Sequence, residues 1–314
     1  MSVSTREADL FEGARGRLEA IAYRLLGSAG DAEDAVQETF LRWHAADRTL
    51  IGTPEAWLTK VLTNLCLNQL TSARARRETY VGQWLPEPVL AGDPMLGPAE
   101  TAQQRESVSL AMLVLMERLS PNERAVYVLR EAFGYSHRDI AQILDIGESN
   151  CQQIYRRARQ HIGVSRSRTE VDAAAARKIA EEFLAAALSG DTEPLVRLLT
   201  DGAVSVADGG GVIPARKIPV VGAAAIARYV RNMFRPTDAK RAFVGDDLAF
   251  YATVVNGDPA VLVEAGDRVY GLFCLEVGHA GIAAIHLQVA PAKLATLARE
   301  WAATGPHVPL ATSW

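Results

Sequence analysis

The chain has 314 residues, more than one small core needs, and its length points to about two domains. A hydrophobic content of 49% with 22% charged residues is ordinary for a globular chain and excludes wholesale disorder. With Lys+Arg 33 against Asp+Glu 37 the net charge is −4, so no global basic character signals nucleic acid, and any such signal has to be local.

From about residue 9 to residue 77 the pattern is helical. Leu18, Ile21, Ala22 and Leu25 share one face, as do Ala35, Val36, Thr39, Phe40 and Trp43. Asp31, Glu33, Asp34 and Glu38 crowd the first turns of the second helix. The helix dipole explains that placement, and a protein-docking face is the alternative reading. A third helix opens at Thr53, Pro54 and Glu55 as an N-cap, a first-turn proline and an acid at the positive end. Its stripe runs through Trp57, Val61, Leu62, Leu65 and Leu70, while Lys60, Asn64, Asn68, Arg74, Arg76 and Arg77 supply cations and amides. Such groups track phosphates and read exposed bases, although a solvated helix end has the same composition.

Between residues 80 and 98, Gly82, Pro86, Pro88, Gly92, Pro94, Gly97 and Pro98 interrupt any regular element and mark a linker. A second helical block spans 101–162, with capping boxes at Ser120/Glu123 and Ser136/Asp139. Residues 137–144, the turn 145–147 and residues 148–162 have helix-turn-helix spacing, with Ile140, Ala141, Leu144, Ile146, Cys151, Ile154 and Ala158 facing inward. The outward face carries Ser149, Asn150, Gln153, Arg156 and Arg157, side chains that bond base edges and phosphates. No acid occurs from Asn150 to Arg168, as expected of a DNA-facing helix; a bundle helix with an exposed basic side is the alternative.

Residues 171–188 form an Ala-rich helix, followed by strand-like alternation at 203–207, 242–244, 248–255, 260–264, 269–277 and 282–289, then a helix at 291–303. Helices followed by a meander of strands indicate a separate α+β domain. Cys66, Cys151 and Cys274 are too scattered for a disulfide framework or a structural zinc, and they fit a reducing compartment. No apolar run approaches the roughly 20 residues of a membrane span, and the polar start MSVSTREADL is unlike a signal peptide, so a cytoplasmic protein without membrane contact is expected.

The run from Asp31 to Trp43 (DAEDAVQETFLRW), Ala56-Trp57-Leu58 and Arg74 to Glu78 resemble region two of bacterial extracytoplasmic-function sigma factors. Leu119 to Arg124, Gly134 to Ser136, Asp139 to Ala141 and Tyr155 to Arg159 look like region four. Trp84-Leu85-Pro86-Glu87-Pro88 and Asp208-Gly209-Gly210-Gly211 are similar to the subgroup with a fused SnoaL-like (NTF2-like) domain. The resemblance implies a multidomain fold: two all-α sigma domains, region two a helical bundle and region four a helix-turn-helix, plus an α+β cone domain. Its boundaries would be 1–80 for region two, 81–100 for the linker, 101–168 for region four, 172–304 for the SnoaL-like domain and 305–314 for a tail.

It further implies that Asp31, Asp34, Gln37 and Glu38 grip the RNA polymerase core. Lys60, Asn64, Asn68, Arg74, Arg76 and Arg77 would melt and capture one promoter element, and Ser149, Asn150, Gln153, Arg156 and Arg157 would read the other. The SnoaL-like domain would regulate in cis through contacts of Trp84–Pro88 and Asp208–Gly211 with the sigma domains and linker. Three departures from the family pattern stand out. The turn is Leu144-Asp145-Ile146-Gly147, Val212 replaces a lysine after the glycines, and Ala290-Pro291-Ala292-Lys293-Leu294 replaces Asn-Pro-Asp-Lys-Leu.

SnoaL-like folds include cyclases that use a buried carboxylate or histidine, and the candidates here are Asp208, Asp246, Asp247, His279 and His286. Of these, only His286 alternates with apolar neighbours in a way that could face a pocket, although a lone histidine in a strand is more often structural or solvent-facing, and Asp208 before three glycines reads most simply as a turn residue. No metal spacing, nucleophile elbow or phosphate loop is present, so neither an enzyme nor a cofactor is expected. The alternative is a one-component regulator, or a polyketide-cyclase-like enzyme fused to a DNA-binding module, with an unidentified small ligand in the C-terminal domain.

Overall fold

A computed structural model of the chain describes residues 5–78, 80–97, 101–163 and 171–313. They form two compact units, Met1–Thr79 with Gly92–Ser165, and Tyr80–Ala91 with Arg166–Trp314. The segment expected as one linker is therefore divided, its first part belonging to the C-terminal unit and the remainder to the helical one.

The helical unit contains α1 (Thr5–Leu26), α2 (Ala29–Ala45), α3 (Pro54–Glu78), α4 (Ala102–Glu106), α5 (Leu110–Met116), α6 (Pro121–Glu131), α7 (His137–Leu144) and α8 (Glu148–Ile162). Serines start four of them: Ser28 accepts from the Asp31 amide, Ser109 from Met112, and Ser120 and Ser136 close capping boxes with Glu123 and Asp139. Leu18, Ile21 and Leu25 of α1 and Leu58, Leu62 and Cys66 of α3 are fully or almost fully buried. Two buried arginines tie these layers together. Arg24 donates to Ser107 Oγ at 2.8 Å and to the Leu96 carbonyl at 2.7 Å, and Arg124 donates to the Arg24 carbonyl at 3.1 Å and pairs with Glu117. Burial pushes both guanidinium groups down to about 9, which leaves them cationic at neutral pH. Gly97, at φ 61°, passes so close to α1 that a Cβ there would lie 2.6 Å from Ala20 Cβ.

The C-terminal unit contains α9 (Ala173–Leu188), α10 (Glu193–Leu198), β1 (Leu199–Asp208), β2 (Val220–Val221), α11 (Ala223–Phe234), α12 (Asp238–Val244), β3 (Leu248–Val255), β4 (Asp258–Ala265), β5 (Arg268–Gly278), β6 (Gly281–Gln288) and α13 (Pro291–Thr304). Its six-stranded sheet has the order β2-β1-β6-β5-β4-β3, with β1 and β6 parallel and the other pairs antiparallel. The expected combination of a helical part and a separate α+β domain holds. Phe183 of α9 and Ile226 and Val230 of α11 pack with Val261, Phe273, Ile285 and Leu287 on one face of the sheet. The alternate residues Leu262, Cys274, His286 and Gln288 point to the other face and are also buried. There Tyr251 meets Trp301 of α13 with ring centroids 5.5 Å apart.

Two elements differ from the sequence reading. Residues 242–244, expected as a strand, end α12: Thr237 caps that helix by accepting from the Lys240 amide, and Phe243 is exposed. α11 was not anticipated, although Ile226, Ala227, Val230 and Phe234 make a helical stripe. Among the described residues no helix is long and apolar enough to cross a membrane.

Candidate nucleic-acid interface and linker clamp

The turn between α7 and α8 is set by Asp145, which adopts a left-handed conformation at φ 53°, while the Ile146 amide donates to the Ala141 carbonyl at 3.0 Å. Gly147 then starts α8 without a side-chain cap, as its chemistry requires. Ile140, Ala141, Ile143, Cys151, Ile154 and Ala158 are buried, whereas Leu144 and Ile146 are only half-buried. Ile143 therefore belongs to the inward set ahead of those two. Ser149, Asn150, Gln153, Arg156 and Arg157 all lie exposed along one side of α8. Neither arginine is paired with a carboxylate among the described residues, so both guanidinium groups are available to an anionic partner.

Lys60 of α3 sits differently from the sequence reading. Its amine is 2.5 Å from Asp145 Oδ1 and donates to the Gln142 carbonyl at 3.2 Å, so it is held by the helix-turn-helix and does not stand open. At the preceding residue the Thr59 and Tyr135 hydroxyls are 3.1 Å apart. Asn64 is half-buried and Asn68 exposed. Arg74, Arg76 and Arg77 lie outside the described side chains. On α2, Asp34 and Gln37 are exposed and Asp31 and Glu38 half-buried, with Glu38 bonded to Arg42 at 2.8 Å. The acidic helix thus keeps a partly open anionic side.

Within the C-terminal unit, residues 80–91 are strapped onto the domain by Asp208. This carboxylate is fully buried and accepts from the Tyr80 hydroxyl at 2.6 Å, the Leu85 amide at 2.8 Å, the Gly210 amide at 2.9 Å and the Lys293 amine at 2.6 Å. Lys293 also donates to the Leu85 carbonyl at 2.7 Å and lies 4.4 Å from the Trp84 ring centroid, within cation–π range. Burial and the adjacent carboxylate push the Tyr80 phenol up, keeping it a donor. Further along, the Val89 amide donates to Asn256 Oδ1 at 3.0 Å, the Asn256 amide to the Val89 carbonyl at 2.9 Å, and Leu90 bridges Val255. Leu85, Pro86 and Pro88 are buried, Trp84 and Glu87 half-buried.

Asp208 is thus more than the turn residue its sequence context suggested; the bond from Gly210 is the turn, and the other three fasten the strap and α13. Gly209 is required beside it, since a Cβ would fall 2.0 Å from the Ile213 carbonyl oxygen. Gly210 is half-buried and Gly211 exposed.

The acid/base candidates do not converge. Asp246 bonds Arg241 on the surface at 3.1 Å, and Asp247 and His279 are exposed. His286 is buried, which pushes its imidazole down to about 4, and it points away from the face that carries Leu287 and Val289. It therefore does not share the face lined by Leu287 and Val289, and of the two sequence readings the structural one fits its burial.

Comparison with known proteins gives consistent results. Residues 10–76 match Sigma-70 region 2, and residues 109–162 match Sigma-70, region 4. The ECF RNA polymerase sigma factor SigJ of Mycobacterium tuberculosis is 36% identical over 228 residues, covering 72% of this chain and 73% of that protein. The probable ECF RNA polymerase sigma factor SigI of the same species is 33% identical over 294 residues, covering 91% and 94%. The crystal structure of M. tuberculosis SigJ superposes with a TM-score of 0.70 at 28% identity, covering 92% of this chain and 98% of that one.

Proposed function

Because the chain belongs to the extracytoplasmic-function RNA polymerase sigma factors, and so directs promoter recognition and transcription initiation, we propose that its charged faces divide the work between polymerase and DNA and that its C-terminal domain governs them in cis. In this reading Asp31, Asp34, Gln37 and Glu38 of α2 meet the polymerase core. Lys60, Asn64, Asn68, Arg74, Arg76 and Arg77 hold the melted promoter element, and Lys60 leaves Asp145 to do so. Ser149, Asn150, Gln153, Arg156 and Arg157 enter the major groove at the second element. The exposed arginines of α8 support this last assignment, since guanidinium groups without acidic partners bind phosphate or guanine edges.

In the same reading the functional modules span residues 1–80, 101–168 and 172–304, joined by 81–100 and followed by the tail 305–314, in a cytoplasmic protein with no catalytic role. The observation that carries cis control is the Asp208 clamp. The chain joining the two sigma modules passes through residues 80–91, and Tyr80 and Leu85 bind that stretch to the C-terminal domain by donating to one buried carboxylate that also pairs with Lys293. Whatever loosens that clamp changes the freedom of the two modules. Multi-round transcription with core polymerase tests this. Asp208→Asn should alter promoter-specific transcript yield severalfold relative to wild type, and equal yields would remove the clamp from the account.

A further inference from the structure

The C-terminal unit carries an open cavity of about 510 Å³ between α11, α12, the loop 213–216 and the face of the sheet that bears Phe250, Phe273 and Leu287. That volume lies within the range of sites that take drug-sized molecules. Its floor is hydrocarbon and aromatic: Phe234, Phe250, Val263, Phe273 and Leu287 line it and are all buried. Its mouth is marked by the exposed lining residues Pro214, Arg216 and Phe243. An apolar guest seated on these side chains removes hydrocarbon surface from water, which favours binding.

The polar groups state what the guest's other end must be. Arg216 and Lys240 are the charged side chains in the lining, both cationic, and no carboxylate lines the space. Lys240 is committed to the fold, because its amine donates to the carbonyls of Asn232, Met233 and Arg235 at the end of α11. Arg216 is not so committed. Its guanidinium rests over the Tyr229 ring, 5.4 Å from the centroid, at the cavity mouth, and it has no carboxylate partner among the described residues. A cation held by an aromatic face at the entrance of a hydrocarbon-lined hollow matches an amphipathic acid, with its apolar body on Phe250 and Phe273 and its carboxylate paired to Arg216.

We propose that this cavity is a receptor site for an amphipathic monocarboxylate. The site does not depend on cis control, since binding is read directly, so the failure of either reading leaves the other standing.

Isothermal titration of the full chain with dodecanoate and with dodecanol, both below micelle or phase formation, tests it. Dodecanoate should bind one-to-one and more tightly than dodecanol. Arg216→Gln, an exposed change that leaves the core intact, should weaken dodecanoate about tenfold, the size of one lost charge-assisted hydrogen bond, and leave dodecanol unchanged. Val263→Trp, which fills the floor, should abolish both. No saturable binding of dodecanoate, tighter binding of the alcohol, or equal dodecanoate affinity in wild type and Arg216→Gln would overturn the proposal.

Discussion

Replacing Asp208 by Asn tests the clamp with almost no change in shape. Oδ1 accepts from Tyr80 and Gly210, and Oδ2 accepts from Leu85 and Lys293. In either orientation the asparagine amide turns N–H groups toward two donors, so two of the four bonds are lost. Lys293, whose side chain is 13% exposed, loses its counter-ion as well. Removing one partner of a buried ion pair costs about 3–5 kcal/mol, and each hydrogen bond to a charged group is worth about 1.5–3 kcal/mol, overlapping contributions that do not add. The net loss should be about 4 kcal/mol, which lowers the unfolding midpoint of a domain of this size by roughly 10 °C. Tyr80→Phe removes one bond and should cost about a third as much. Calorimetry of the full chain gives the midpoint, and amide hydrogen exchange at residues 80–91 reports whether the strap itself has loosened. A shift under about 2 °C with unchanged exchange at Leu85 would refute the reasoning.

The remaining predictions concern other buried or paired groups. Burial pushes His286 down to about 4 from an ordinary 6.5, so between those values the unfolded chain binds a proton that the folded chain refuses. Stability contributed this way is complete above pH 6.5 and should fall by about 3 kcal/mol as pH drops through the window, at about 1.4 kcal/mol per unit. His286→Gln should flatten that dependence in urea unfolding, and parallel wild-type and variant curves would contradict it. Gly97→Ala forces a Cβ against Ala20 and Arg24 at a positive φ, so it should cost about 1–3 kcal/mol of the helical unit's stability; an unchanged urea midpoint would contradict that close approach. The Lys60–Asp145 pair is exposed on both sides, 37% and 72%, so Lys60→Gln should cost at most about 1 kcal/mol; a loss above about 2 kcal/mol would make the pair structural and not a releasable contact.

Features built from neighbouring residues were legible in the sequence. The capping boxes of Ser120 and Ser136 and the exposed basic side of α8 each follow from a few consecutive side chains, and the structure shows both. Contacts that depend on chain-distant partners were not. Asp208 meets Tyr80 and Leu85 across more than a hundred positions, and neither its turn sequence nor theirs reveals the other. A signal was nonetheless present, since the acid of the Asp-Gly-Gly-Gly run and the lysine of Ala290–Leu294 form the buried ion pair. Arg24 escaped notice because a charged residue in an amphipathic helix reads as surface until several backbone carbonyls converge on it. Lys60 was read as a DNA-facing cation because its composition could not show that Asp145 lies beside it. The strand expected at 242–244 failed because three alternating residues carry less information than the Thr237 cap that precedes them.

The most direct test of the account is promoter-specific transcription by core polymerase with the full chain, comparing wild type with the double charge reversal R156E/R157E. Both positions are exposed, so folding should be unaffected within about 0.5 kcal/mol. The account predicts a specific transcript with wild type and its loss with the variant, together with a weaker salt dependence of promoter binding. A folded variant that transcribes the same promoter at the wild-type level would contradict it.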